Sequence, residues 1–165
     1  MARFPQIDRE IAQCEKHLDA SGTRNTEAEA YLVRYLLVRI CAEYETRIRT
    51  IVQRRCTRTT DRHFQSFGQH WAVEATRRFK VSDLAWMLGC FGDDYKKAFS
   101  DAVSGQPSNA AWDNIYINRH AVAHGNGAVM MTLGELKKTY CDSTVLIDEL
   151  VKVLDLNPRE LKGLT

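Results

Sequence analysis

The segment Asn118-Arg119-His120-Ala121-Val122-Ala123-His124-Gly125 brings together three side chains suited to handling phosphate. Arg119 is permanently charged and can grip a phosphate through two parallel hydrogen bonds. Each imidazole can take up or release a proton near neutral pH. On a helix His120 and His124 are one turn apart and share a face, while Arg119 lies about 140° round from His124 and must use its length to meet them. His120 and His124 also have the spacing of helical zinc ligands, yet no glutamate follows the first histidine and no third ligand is evident. No metal site and no cofactor are expected. Spacing alone selects little, since 15 Arg and 5 His in 165 residues yield about 0.5 Arg-x-x-x-x-His pairs by composition. The chain holds two, the other running from Arg58 to His63 in a polar stretch.

The elements that must position these groups read as helices. The only prolines are Pro5, Pro107 and Pro158, and β-branched alternation is nowhere sustained, so the fold class is all-α. A first helix is predicted from Gln6 to Leu18, with Gly22 as its C-cap. Thr26-Glu-Ala-Glu29 has capping-box spacing and opens a long central helix through Leu37, Cys41, Tyr44, Ile48 and Ile51. A third helix, from Thr60 or Asp61 to Phe79, carries Phe64, Phe67 and Trp71 on one side. A shorter one starts at Ser82-Asp83 and is interrupted by Gly89 and Gly92. Another spans Asp93 to Val103 before the loop Ser104–Ser108, and the next runs from Asn109 to Gly125, stopped by Gly125-Asn126-Gly127. Thr132-Leu-Gly-Glu135 is a second capping box, opening one final helix through Leu136, Tyr140, Ile147, Leu150 and Leu154.

Composition sets the outer bounds. With 165 residues, 44% hydrophobic and 27% charged, the chain reads as one domain over residues 1–165, neither disordered nor fibrous. No apolar stretch approaches the ~20 residues of a membrane helix, and no export signal is evident, so a cytoplasmic location without membrane contact is expected. The cysteines Cys14, Cys41, Cys56, Cys90 and Cys141 form an odd set without a C-x-x-C pair and read as reduced thiols, with Cys41 and Cys90 in apolar surroundings. Trp71, Trp86 and Trp112 are expected in the core, and His17, His63 and His70 in structural or exposed positions. The net charge of +2 hides a segment from Arg47 to Arg62 with six arginines against one acid, Asp61. Arg47, Arg54, Arg55 and Arg58 are its candidates for RNA phosphates; a solvated helix face is the alternative.

The string Arg119-His120-Ala121-Val122-Ala123-His124-Gly125 resembles the R-N-x-x-A-H-G mark of the HEPN superfamily. Asp113 upstream, Leu84 to Phe91, Val129 to Leu136 before a terminal helix, and Cys41-Ala-Glu43-Tyr-Glu45-Thr-Arg-Ile48 are similar to its RiboL-PSP-HEPN branch. The resemblance covers about residues 25 to 155 and is strongest from 113 to 136. It implies a helical bundle, a homodimer and a metal-independent endoribonuclease of the kind found in toxin–antitoxin, anti-phage and RNA-processing systems, with an antitoxin or defence-system partner. Other members of the superfamily are noncatalytic and bind nucleotide or RNA, or dimerise. By the same resemblance Arg119 holds the scissile phosphate and His124 is the catalytic imidazole. His120 stands where Asn or Asp is more usual, and Glu45, or Glu43, is the acid that orients the pair. Asn126 replaces a tyrosine that some toxin relatives modify.

The chemistry implied needs only the RNA's own nucleophile. A base must take the proton of the 2′-hydroxyl, charge on the phosphoryl oxygens must be stabilised, and an acid must protonate the leaving 5′-oxygen. One imidazole cannot do both in one step. Two motifs facing each other across a two-fold axis supply two histidines and two arginines, a physical reason for a dimer.

Overall fold

The computed structural model describes residues 4–76, 80–124 and 131–155. The expected end of the third helix at Phe79, and the Gly125-Asn126-Gly127 stop, lie outside the described residues.

Eight helices run through these residues, and no strand is present among them. The first, α1 (Pro5–Ser21), starts on Pro5 and ends where Gly22 turns left-handed at φ 65°. Its buried face is Ile7, Ile11, Cys14 and Leu18. The central helix α2 (Glu27–Cys56) has 30 residues and buries Val33, Leu36, Leu37, Ile40, Cys41, Tyr44, Ile48, Ile51 and Val52. Thr26 caps it, accepting from the Ala28 N–H at 3.3 Å. Glu29 does not close the expected box onto Thr26. Its carboxylate accepts instead from the N–H of Asn25 at 2.6 Å and of Leu133 at 2.8 Å.

The next helix, α3 (Arg62–Ala75), is capped by Asp61, which accepts from the His63 and Phe64 N–H groups. It meets α2 through small residues: Gly68 and Ala72 are its buried positions, and a methyl on Gly68 would come within 2.6 Å of Cys56. The expected Phe64–Phe67 stripe is 55% and 63% exposed, while Trp71 packs edge-on against Phe91. Helix α4 (Val81–Gly89) buries Leu84, Met87 and Leu88 but leaves Trp86 60% exposed, so Trp86 is not a core residue as expected. At nine residues the helix has one buried stripe, and Trp86 falls on the other side. Cys90, expected among apolar neighbours, caps the end of α4 and is exposed too.

Helices α5 (Asp93–Val103) and α6 (Pro107–Ala123) follow, the latter burying Ser108, Ala111, Trp112 and Ile115. The last segment is two helices, α7 (Leu133–Ser143) and α8 (Val145–Val153), where a single one was expected. At the junction Ser143 Oγ donates to Tyr140 O and Thr144 Oγ1 to Cys141 O, each at 2.9 Å. These hydroxyls compete with the backbone ladder and bend the chain. Helix α2 packs against α1, α3, α6, α7 and α8 and is the spine of the bundle. At its middle Tyr44 stacks on Trp112 with ring centroids 4.5 Å apart and planes 2° from parallel. The Tyr44 hydroxyl also hydrogen-bonds Ser143 Oγ at 2.6 Å, so one residue couples α2, α6 and α7.

Candidate functional site

The buried stripe of α6 ends at Ile115, and Arg119 falls one turn further along the same face, half-buried. That face packs on α2. The Cys41 thiol on α2 is pushed up to about 12, chiefly by burial, with the Arg119 guanidinium acting against that rise and the Glu45 carboxylate adding to it. Arg119 on α6 and Glu45 on α2 are thus both within electrostatic range of the Cys41 thiol, and no ion pair joins the two. Arg119 makes no hydrogen bond or ion pair with another described residue. Asp113, upstream of the motif, is engaged elsewhere: Oδ1 accepts from the Val81 N–H at 3.0 Å and so caps α4. Glu43, like Glu45, is half-buried on α2.

The two histidines lie on the outer side of α6. His124 is its C-cap residue, with its N–H donating to His120 O at 3.1 Å, and both side chains are exposed. Their rings are 4.2 Å apart, centroid to centroid, with planes tilted by 38°. The row extends backwards, since Tyr116 lies 6.4 Å from His120 and the Lys80 ammonium sits 5.7 Å from the Tyr116 ring centre. Tyr116 and Lys80 were not anticipated. The spacing of Tyr116, His120 and His124 was legible, but nothing local announced that Lys80 would join them. Among the described residues no three His, Cys, Asp or Glu side chains group as metal ligands.

The expected RNA-binding arginines occupy the second half of α2. Arg47 lies over the Phe4 ring at 5.5 Å. Arg55 donates to the Tyr95 hydroxyl at 2.6 Å and covers its ring. Arg58 is 3.8 Å from Asp155, and Arg54 is exposed. From Cys41 to Arg54 is thirteen residues, about 20 Å along the axis. Arg54, Arg55 and Arg58 thus mark a separate end of the helix, and only Arg47 and Glu45 approach the level of Cys41. Asn114 and Asn118, on a third side of α6, border a groove against α7.

A bundle built on one long helix, with an arginine and two histidines at the end of another, is the arrangement expected from the motif. The RiboL-PSP-HEPN family model matches residues 2–156, and the chain belongs to this family. The match extends the likeness to the start of α1, beyond the stretch the motifs carried. No curated protein and no solved structure matches the chain. Membership of the HEPN family suggests a ribonuclease or a nucleotide-binding module. Among the described residues no helix is long and apolar enough to cross a membrane.

Proposed function

We propose that this chain is a metal-independent endoribonuclease that cleaves single-stranded RNA across a homodimer. The observation that carries the reading is the exposed imidazole pair at the end of α6, on the same helix as Arg119, whose guanidinium makes no hydrogen bond or ion pair with another described residue. Arg119 donates to the non-bridging oxygens of the scissile phosphate, and Glu45 on α2, which makes no ion pair with it in the free chain, is the acid assigned to orient it once RNA is bound. The 2′-oxygen forms a bond to phosphorus as its proton passes to one imidazole. The bond from phosphorus to the 5′-oxygen breaks, and that oxygen takes a proton from another. The products are a 2′,3′-cyclic phosphate and a 5′-hydroxyl.

In-line displacement places base and acid on opposite sides of phosphorus. Rings 4.2 Å apart leave no room for a phosphate between them, so His120 and His124 of one chain cannot fill both roles. The second imidazole comes from a second copy. Ile117, 57% exposed and two turns before His124, adds an apolar contact to that face, as a dimer seam needs. In this scheme His124 transfers the proton and His120 positions its ring.

The test is incubation of the purified protein with labelled mixed-sequence RNA in EDTA, beside His124→Ala and Arg119→Ala shown by circular dichroism to stay helical. Cleavage to cyclic-phosphate ends by the parent, reduced about 100-fold or more in either variant, is expected. Intact RNA throughout would overturn the reading in favour of a nucleotide-binding module.

A further inference from the structure

Between α6 and α7 lies an open groove of about 340 Å³, bordered by Asn114 and Asn118 on one side and by Glu135, Lys138, Thr139 and Asp142 on the other, with Met131 at its end; the Glu135 carboxylate is engaged by the Thr132 N–H and hydroxyl. It is spatially tied to the motif. Asn118 directly precedes Arg119, and the six residues from Asn118 to His124 rise about 9 Å. Asn118 also lies about 120° round α6 from His124, so a strand whose phosphate meets His124 must pass partly round the helix to place a further nucleotide in the groove.

We propose that this groove is a base subsite and that it selects guanine; the inference rests on the reading of this chain as an RNA-binding HEPN protein. Lys138 and Asp142 are one turn apart on α7, and neither makes a hydrogen bond or ion pair with another described residue. The carboxylate can only accept and the ammonium can only donate. Guanine presents two adjacent donors, N1–H and the N2 amino group, beside the acceptor O6. Asp142 takes the two donors in parallel and Lys138 takes O6. Adenine and cytosine set an unprotonated ring nitrogen beside their amino group, which faces a carboxylate as acceptor against acceptor. Uracil offers one N–H between two carbonyls. The Nδ2 of Asn118 donates to Asn114 O and Oδ1, which holds both amides at the rim, available to a ribose hydroxyl or to N7. The half-buried thioether of Met131 supplies a soft apolar surface for the base plane. The volume falls within the range of small-ligand pockets and accommodates a base with its sugar.

The experiment titrates the full chain in EDTA with 5′-GMP, AMP, CMP and UMP, followed by calorimetry and by amide chemical shifts. GMP is expected to bind about tenfold or more tightly than the other three, with shifts centred on Asn118 and Asp142. In Asp142→Asn that preference should vanish, and in Lys138→Met GMP affinity should drop several-fold. Arg119→Ala should leave the order of the four nucleotides unchanged. Equal binding of all four, no binding, or shifts that avoid α7 would overturn the subsite. Binding is read without turnover, so the two ideas fail separately: RNA cleavage without GMP binding removes the subsite alone, and GMP selectivity without cleavage removes the ribonuclease alone.

Discussion

The carboxylate of Glu29, near the start of α2, receives the N–H of Leu133, the first residue of α7 and 104 positions later in the chain, at 2.8 Å. Its other oxygen receives the Asn25 N–H, and the side chain is buried. One acid thereby caps two helices. It also fixes where α7 begins, since Leu133 is its first residue. Glu135 closes the capping box with Thr132 immediately beside it, so the start of α7 is held from within and from α2.

That arrangement has a pH signature. The N–H groups of Asn25 and Leu133 hold the Glu29 carboxyl below its usual range, and the Arg39 guanidinium does the same for Glu10. A carboxyl lowered on folding stabilises the fold fully above its unfolded value, and that contribution is lost as pH falls through the lower folded one. Glu29→Gln is expected to cost about 1.5–3 kcal/mol at pH 7, and the gap from the parent should narrow towards pH 3. Urea unfolding at both pH values checks it. A gap that stays constant would show that the charge is not what matters; Glu10 supplies part of the parent's remaining acid sensitivity.

The division of labour between the histidines is a second expectation. His120→Ala should reduce kcat by less than His124→Ala, because a neighbouring ring can position without transferring the proton. Mixing parent with excess His124→Ala, under conditions that let subunits exchange, should lower activity as the square of the parent fraction if each cleavage uses His124 from both copies. A linear fall would mean that one chain suffices, and would remove the composite site.

Gly68 offers a test of the fold that runs against helix propensity. Replacing an interior helical glycine by alanine ordinarily stabilises by about 1 kcal/mol. Here the added methyl would meet Cys56 Cβ and Sγ at 2.6 Å, where α3 crosses α2. Gly68→Ala should therefore destabilise by about 1–3 kcal/mol in thermal or urea unfolding, through overpacking of backbones that cannot part freely. Added stability would mean that α3 does not approach so closely.

The sequence by itself determined what depends on near neighbours. Gly22 could be read as a left-handed C-cap, Thr132 and Glu135 as a box, and a helix from about Asp93 to Val103, because caps, glycine freedom and helical periodicity act within a turn or two. The motif from Arg119 to His124 was visible for the same reason, and so was the adjacency of its two rings. Tertiary structure decided everything that joins distant segments. Glu29 looked like half of a local box until α7 arrived to claim one oxygen. Asp113, read as a residue upstream of the motif, caps α4, because the first turn of that helix offers an unpaired N–H that a carboxylate satisfies at short range. Trp86 and Cys90 read as apolar and sit outside, since a nine-residue helix has one inward stripe and the packing of α4 chose it. That Arg119 and Glu45 both come within electrostatic range of Cys41 follows from the packing of α6 on α2, which joins residues more than seventy apart and which no local spacing encodes.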